Sequence, residues 1–283
     1  MAKLYVVATP IGNLSDLTPR AAEAFAQADL IAAEDTRVTM KLLAHLNLSK
    51  PMVSCHRHNE ENRADWLIRR MLEEDLTMAL ACDAGTPAIS DPGNQVVEAA
   101  WEAGIEVVPV SGASATVTAL SACGFDAREF AFYGFLPREK KALREKLAAI
   151  RKTRIPVGVA YESPHRVLEL VEQFCETLPE SRLCVCCDLT KRYEKIYRGG
   201  CREVLSALAA NPNVEKGEYC VVFDLSRLPP LPEERPRMPA EARLLMGLLE
   251  EKELDEAADE ALGEGYSRNE VYRARLKIKE MFE

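Results

Sequence analysis

A chain of 283 residues is long enough for two domains that each bury a core, and 47% hydrophobic with 29% charged residues is typical of an ordinary globular protein. Its apolar runs are too short to cross a bilayer, and its first residues indicate a strand instead of a signal peptide, so we expect a cytoplasmic protein. The net charge of −9 argues against nucleic-acid binding through overall charge, so phosphate contacts require a local basic patch.

The first 124 residues alternate short apolar segments with helical ones. The predicted strands are Leu4–Ala8, Leu30–Ala33, Met52–Cys55, Met78–Cys82 and Ile105–Val110. The predicted helices are Pro19–Ala28, Val38–Leu46, Glu60–Glu74, Asn94–Ala103 and Ser114–Ala122. This alternation predicts an α/β domain over residues 1–124, with a parallel sheet between helices.

Residues 125–228 predict a second α/β domain with a mixed sheet, opened by an aromatic connector at Phe125–Pro137. Its predicted strands are Ile155–Tyr161, Leu183–Leu189, Glu194–Arg198 and Tyr219–Asp224, and its predicted helices are Glu139–Lys152, His165–Leu178 and Glu203–Ala209. Five prolines make residues 229–239 a stiff linker, and residues 240–283 predict a small helical extension of two or three helices.

The nine cysteines raise the possibility of a disulfide framework, but their placement argues against it. Cys184, Cys186 and Cys187 fall within one apolar strand, and others are scattered in apolar surroundings. We interpret them as reduced and mostly buried thiols in a cytoplasmic protein, and we predict no metal site.

Small and polar residues follow every predicted strand of the first domain. The most informative of these segments is Asp83–Gly93, which combines small residues, two prolines and two aspartates. The carboxyl ends of parallel strands share one edge of a sheet, where ligands bind, so these segments predict a binding crevice. Neither a G-x-G-x-x-G fingerprint nor a P-loop occurs in the chain, which argues against a dinucleotide or nucleoside triphosphate site of those types.

Each segment also has a plain structural explanation. Pro10–Leu14 is equally consistent with a simple turn, and Asp35 or Thr36 is well suited to cap the following helix. His56 and His58 have the spacing of metal ligands, but no third ligand stands out, so polar residues at the sheet edge are the simpler interpretation.

The order of these motifs resembles that of a known family. The matching segments are Pro10–Leu14, Ala33–Arg37, His58–Glu60, Asp83–Pro87 with Ser90–Gly93, and Leu189–Lys191. They are similar to the ribosomal RNA small subunit methyltransferases I, a family of the tetrapyrrole methylase superfamily (class III methyltransferases). The resemblance covers essentially the whole chain, including the helical extension.

The resemblance implies an S-adenosylmethionine-dependent enzyme that methylates the ribose 2′-hydroxyl of a cytidine in the decoding region of 16S rRNA, position 1402 in the usual rRNA numbering. It also implies a homodimer that acts on 16S rRNA or the 30S subunit, with the cofactor folded between two α/β domains. The cofactor-binding residues that it implies are Pro10, Gly12, Asp83, Ala84, Gly85, Thr86, Ile89, Ser114, Ala115, Tyr161, Glu162 and Gly217.

Two positions depart from the family's pattern. Ser111 and Ala113 stand where prolines are usual, which predicts a more mobile loop. Cys187 and Asp188 stand where an arginine and a glutamate are usual, so the arginine's role has moved or is lost. Arg192 and Arg37 are both possible substitutes.

The reaction needs a base or a nearby cation, because a ribose hydroxyl is a weak acid. The candidate catalytic residues are Lys191, Asp35, Glu34, His58 and Glu162. We favour Lys191 and Asp35, with Lys191 either as the base or as a charge beside the forming alkoxide. The plain alternatives are helix caps for the carboxylates and a surface cation for the lysine.

RNA binding is assigned to the basic segment Arg138–Arg154 and to the C-terminal basic helix, and its predicted residues are Arg138, Lys140, Lys141, Arg144, Arg268 and Arg273. The plain alternative is a solvated helix face. Two rival functions stay open: a methyltransferase that acts on a tetrapyrrole or on diphthine, and an inactive RNA-binding module. Gly265–Tyr272 resembles part of a helix-turn-helix and keeps the second rival open.

Overall fold

The computed structural model describes residues 2–231 and 238–282. The described residues up to Pro229 form one compact unit, and those from Pro230 onward form another. Of the predicted proline-rich linker, residues 232–237 lie outside the described part of the chain. The predicted boundary between residues 124 and 125 remains a prediction.

The first sheet of the larger unit is entirely parallel, as predicted. Its strands are β1 (Lys3–Val7), β2 (Leu30–Ala33), β3 (Met52–Ser54), β4 (Thr77–Ala81) and β5 (Glu106–Val110), in the order β3-β2-β4-β1-β5. The helices that follow them are α1 (Pro19–Gln27), α2 (Thr36–His45), α3 (Glu60–Glu74), α4 (Asn94–Glu102) and α5 (Ala115–Cys123).

Helices cover this sheet on both faces, and the side that each helix takes determines where a ligand can enter. Phe25 of α1 and Leu42 of α2 are buried in one cluster, whereas Leu67 of α3 and Val96 of α4 are buried in another. The chain therefore leaves the neighbouring strands β1 and β4 toward opposite faces. Such a topological switch point opens a crevice at the carboxyl ends of the strands.

The second sheet is mixed, again as predicted. Its strands are β6 (Phe130–Phe135), β7 (Val157–Glu162), β8 (Arg182–Cys187), β9 (Lys195–Gly200) and β10 (Tyr219–Asp224), in the order β6-β7-β10-β8-β9. Only the β6–β7 pairing is parallel among those described. The helices of this half are α6 (Lys140–Lys152), α7 (Val167–Thr177) and α8 (Cys201–Ala209). Helix α5 packs on this sheet, since its Ala119 and Cys123 are buried with Val159 and Val222.

The aromatic segment Phe125–Pro137 is more than a connector. Residues Phe130–Phe135 form the edge strand β6, which pairs with β7. The sequence hides this strand because an irregularity between Phe132 and Phe135 interrupts the two-residue alternation that marks a strand.

The cysteines lie in the two cores without a disulfide among the described residues, and eight of the nine are buried. Cys184 and Cys187 have the C-x-x-C spacing, yet they lie three residues apart on β8 and therefore on opposite faces. Each joins a different hydrophobic cluster. Their placement therefore excludes a shared metal for this pair.

The smaller unit contains three helices in its described part: α9 (Ala240–Leu249), α10 (Leu254–Gly263) and α11 (Arg268–Phe282). Leu244, Ala257 and Ile278 are buried between them. Ser267 and Glu270 form a reciprocal cap at the start of α11, with N–H···O distances of 3.2 and 2.7 Å. Within the described residues we find no helix that is both long and apolar enough to span a membrane.

Candidate active site

The loops after β1 and β4 are joined at the switch point. The amide of Thr9 donates to the carbonyl oxygen of Gly85 at 2.9 Å, and the amide of Gly85 donates back at 3.0 Å. Gly85 has a φ of +86°, a conformation that glycine adopts without strain. The pair therefore fixes the two loops against each other where the parallel sheet opens.

A cleft of about 760 Å³ begins at these loops and continues onto the second sheet. Its walls come from three loops of the first half, which follow β1, β4 and β5, and from β6, β7, β8 and β10 of the second. The residues that line it are Ile11, Ala84, Gly85, Thr86, Ile89, Ser90, Asp91, Ser111, Gly112, Ser114, Ala115, Thr116, Val117, Phe130, Phe132, Phe135, Tyr161, Glu162, Ser163, Pro164, Cys186, Leu189, Gly217, Glu218, Tyr219 and Cys220.

The charge of this lining is one-sided. It contains three carboxylates, Asp91, Glu162 and Glu218, and none of the described residues that line it is a lysine, arginine or histidine. Burial raises the pKa of Asp91, partly offset by the thiol of Cys82 and the charge of Arg57. Two of these carboxylates are paired with cations outside the lining, Glu162 with Arg166 and Glu218 with Lys191, so the lining is compatible with a cationic ligand without carrying three unpaired charges.

The loop after β4 is held by residues that follow β3. The guanidinium of Arg57 donates to the carbonyl oxygen of Ser90 at 2.7 Å. The buried carboxylate of Glu60 accepts from the amides of Gly93 (2.7 Å) and Gln95 (2.9 Å), so it caps the start of α4. Glu60, the last residue of the motif His58–Glu60, thus has a structural role, because it braces the loop that lines the cleft.

The start of α5 forms another wall of the cleft. Thr86 Oγ1 donates to the carbonyl oxygen of Ala113 at 3.2 Å, which joins this loop to the loop after β4. Thr116 Oγ1 and the hydroxyl of Tyr161 lie 2.9 Å apart, which joins α5 to the second sheet. The first turn of a helix leaves amide groups free for acceptor atoms of a ligand.

The segment after β8 carries backbone strain close to the cleft. Asp188 and Thr190 adopt φ values of +51° and +66°, which non-glycine residues rarely do. Gly12 permits the loop after β1 to approach this segment, because an added Cβ would collide with Cγ of Lys191 and lie 3.2 Å from the Leu189 carbonyl oxygen. Two motifs that are far apart in sequence therefore meet.

Lys191 is held by carboxylates at the rim of the cleft. Its Nζ lies 2.8 Å from Glu218 Oε2 and 3.2 Å from Asp188 Oδ1. Burial lowers the pKa of Lys191, but the hydrogen bonds and charges of Glu218 and Asp188 outweigh burial and raise this pKa above its usual value. The ammonium group is therefore charged at neutral pH.

Glu162 is the most deeply buried carboxylate of the cleft. Its Oε1 accepts from the amide of Ser163 at 2.7 Å, and Arg166 Nη2 lies 3.2 Å from Oε2. Oε2 accepts no hydrogen bond from the described residues. Burial raises the pKa of Glu162, although Ser163 and Arg166 counteract this effect.

Asp35 and Glu34 differ in their protonation behaviour. Asp35 caps α2 and accepts from the guanidinium of Arg37, whose hydrogen bonds lower the pKa of Asp35 to about 2. This carboxylate is a weak base. Burial raises the pKa of Glu34, whose Oε2 accepts from the amide of Asp83 at 3.2 Å.

Of the twelve predicted cofactor-binding residues, nine line the cleft: Ala84, Gly85, Thr86, Ile89, Ser114, Ala115, Tyr161, Glu162 and Gly217. Pro10, Gly12 and Asp83 are not in its lining. Among the predicted catalytic residues only Glu162 lines it, while Lys191 reaches it through Glu218. Glu34 and Asp35 lie between the end of β2 and the start of α2, and His58 is exposed.

Residue-by-residue reasoning missed several lining residues. Cys186, Tyr219 and Cys220 lie on apolar strands, where the sequence gives no sign that one face borders a cleft. The sequence shows that Phe130–Phe135 is rich in aromatic residues, but it does not show that this segment lies beside the cleft. For Asp91, its place in the loop after β4 was the one feature of the sequence that could have indicated a position in the cleft.

The structure shows what surrounds Cys187 and Asp188, which depart from the family's pattern. Cys187 is buried in the core cluster of the second sheet. Asp188 pairs with Lys191 and accepts from the amide of Glu218 at 3.3 Å. Neither Arg37 nor Arg192 lines the cleft; Arg37 pairs with Asp35, and Arg192 lies over the ring of Tyr193.

The predicted RNA-binding residues are exposed in both units; all lie on helices except Arg138, which precedes α6. On α6, Lys140 lies 3.6 Å from Glu169 and Arg144 lies 2.7 Å from Glu176, so α7 offsets part of the charge of α6. Arg138 and Lys141 are exposed beside them. Arg268 and Arg273 are exposed on α11. Among the described residues no group of three or more His, Cys, Asp or Glu is arranged to hold a metal ion.

Comparison with known proteins is consistent across sequence and structure. The family model "Tetrapyrrole (Corrin/Porphyrin) Methylases" matches residues 3–205. A ribosomal RNA small subunit methyltransferase I from Haemophilus influenzae is 45% identical over 222 residues, which cover 78% of each chain. The protein of that name from Escherichia coli O157:H7 is 39% identical over 278 residues, or 97% of this chain and 95% of the relative.

Solved structures share the fold at much lower sequence identity. A uroporphyrin-III C-methyltransferase from Thermus thermophilus, complexed with S-adenyl homocysteine, aligns with a TM-score of 0.53 and 16% identity. The alignment covers 78% of this chain and 97% of that one. At this level of identity the likeness concerns the fold.

Proposed function

The chain belongs to the tetrapyrrole methylase family, within the ribosomal RNA small subunit methyltransferases I, and on that basis we propose that it methylates a ribose 2′-hydroxyl of a cytidine in 16S rRNA. One observation carries the choice of acceptor. Similarity to the Escherichia coli relative spans 97% of this chain, and it therefore extends into the helical unit, which a methylase of small molecules would not need.

The cleft fits S-adenosylmethionine as the methyl donor. This cofactor carries a positive sulfonium and an ammonium group, and the cleft is lined by Asp91, Glu162 and Glu218 without a cationic side chain among its described residues. Ala84, Gly85 and Gly112 have small side chains or none, so a ligand can approach the backbone of the lining closely. When bound, the cofactor supplies a methyl carbon that its sulfonium activates for nucleophilic attack.

Lys191 is assigned the task of favouring the ionised form of the acceptor hydroxyl. Its pKa is raised, and it is held at the rim by Glu218, which lines the cleft. A fixed cation beside an oxygen that gains negative charge stabilises the transition state more than the ground state.

We assign to Glu162 the role of the general base that accepts the proton of the acceptor 2′-hydroxyl. It is the candidate base within the cleft, and burial raises its pKa toward the range in which a carboxylate accepts protons effectively. Its Oε2 accepts no hydrogen bond from the described residues, but it is buried beside Arg166 Nη2 at 3.2 Å, so the assignment requires the carboxylate to become accessible to the substrate. Asp35, with a pKa of about 2, is a much weaker base.

Docking of the RNA is assigned to the exposed basic residues at the start of α6 and on α11, chiefly Arg138 just before α6, Lys141, Arg268 and Arg273. These residues carry the local positive charge that the net charge of −9 does not supply. A homodimer, as the family resemblance implies, remains part of the proposal, and sedimentation of the purified protein tests it.

The decisive experiment offers labelled S-adenosylmethionine to naked 16S rRNA and to 30S subunits from cells that lack this modification. We expect label in the 30S subunit at one cytidine, position 1402, with resistance of the adjoining bond to alkaline hydrolysis, as a 2′-O-methyl group requires. Label on a base, on another nucleotide or on neither RNA would refute the proposal. Lys191→Ala should strongly reduce incorporation and retain cofactor affinity.

A further inference from the structure

Aromatic rings from two strands form one wall at the edge of the cleft. Phe130, Phe132 and Phe135 of β6 line the cleft together with Tyr161 of β7. The ring of Tyr161 makes edge-to-face contacts with Phe132 (5.0 Å between centroids) and Phe135 (6.0 Å). The Tyr161 hydroxyl is itself held by Thr116, so this ring is a fixed support for both phenylalanines.

A β-bulge directs Phe135 toward the cleft. Between two register pairs, Phe132 with Val159 and Phe135 with Tyr161, β6 advances three residues while β7 advances two. Side chains alternate between faces along a regular strand, so residues three apart would point to opposite sides. The additional residue, with Gly134 at a φ of +60°, brings Phe132 and Phe135 to the same side.

Phe135 is supported by Tyr161 but is not covered. The residue is 63% exposed, although most large apolar residues of this unit are buried. A ring that is fixed on one side and open on the other loses little conformational freedom when a flat ligand stacks on it. Its place on the lining puts such a ligand beside the cofactor cleft.

We propose that Phe135 is the stacking surface for the base of the nucleotide whose ribose receives the methyl group. The inference rests on the proposed function: the 2′-hydroxyl can enter the cleft only when its nucleotide is splayed out of the RNA, and splayed bases are commonly recognised by aromatic side chains. Phe135 is then a substrate-binding residue that helps to determine which nucleotide is presented.

The test compares Phe135→Ala, Phe135→Leu and Phe135→Trp with the wild type, using unmodified 30S subunits as acceptor. Loss of one base stack should raise KM for the 30S subunit about 5- to 150-fold in the alanine and leucine variants, with a smaller change in kcat. Phe135→Trp should restore KM, and its fluorescence should be quenched on addition of 30S subunits. Trp101→Ala is the matched control, because this ring is 65% exposed on α4 and does not line the cleft.

Other readouts distinguish the alternatives. An unchanged KM in Phe135→Ala would overturn the inference, as would a parallel loss of affinity for S-adenosylhomocysteine, which would assign the ring to the cofactor. A sedimentation coefficient of Phe135→Ala that differs from that of the wild type would also overturn the inference. Because β6 is an edge strand, that result would indicate that Phe135 contacts a second copy of the chain instead of the RNA. If the wild type binds S-adenosylhomocysteine but methylates no RNA, the proposed function itself fails.

Discussion

Removal of the Glu60 carboxylate should loosen the loop that forms one wall of the cleft. Glu60 Oε1 accepts two hydrogen bonds, from the amides of Gly93 and Gln95, at the start of α4. A hydrogen bond to a charged group contributes about 1.5–3 kcal/mol, and because both bonds end on one oxygen we take about 3 kcal/mol for their joint loss in Glu60→Ala. For a unit of this size that loss lowers Tm by about 6–12 °C.

The assay is differential scanning calorimetry, followed by titration with S-adenosylhomocysteine. Glu60→Gln keeps an acceptor oxygen but loses the charge, so its Tm should lie between those of Glu60→Ala and the wild type. Glu61→Ala is the control, because the neighbouring carboxylate is exposed on the first turn of α3. If Glu60→Ala melts at the same temperature as Glu61→Ala, the bracing role that we assign to Glu60 is refuted.

Four further outcomes can be measured. Gly12→Ala should lower the rate of methyl transfer, because the new Cβ collides with Cγ of Lys191. Asn13→Ala is the control, and an unchanged rate in Gly12→Ala would contradict the close approach of Gly12 to Lys191. Lys191→Ala should lower kcat by about 10²- to 10³-fold, the usual loss when one group that stabilises an oxyanion is removed, while calorimetry shows unchanged cofactor affinity. Asp35→Asn should retain most activity, and a strong loss of activity would refute the view that Asp35 is not the base. The folded state lowers the pKa of Asp35, so its carboxylate stabilises the wild type above pH 3.8 and this stabilisation is lost as the pH falls toward 2. Asp35→Asn should lack this pH-dependent stabilisation, which unfolding measured as a function of pH will test. Reversal of charge at Arg138 and Lys141 should weaken RNA binding and reduce its dependence on salt, and an unchanged salt slope would exclude this surface.

Local pattern determined the order and type of most elements. Glu60–Glu74 and Tyr219–Asp224 have the predicted bounds, because the amphipathic and apolar periods that mark them are local properties of the chain. The repeated β-α alternation predicted the parallel sheet, and the shared edge of parallel strands predicted where its loops converge. Nine of the twelve predicted cofactor residues indeed line the cleft.

Tertiary structure decided which residues share that cleft across large separations in sequence. Lys191 meets Glu218 and the loop of Gly12 only because the two sheets are assembled against each other, and no local period encodes that approach. Likewise, the bulge that turns Phe135 toward Tyr161 depends on the register between β6 and β7. The periodicity of a sequence shows which residues of one segment lie on its buried face and which on its exposed face. Packing between segments determines the register of the strands, the face of the sheet that each helix covers and the contacts between loops. These in turn determine which residues can act together.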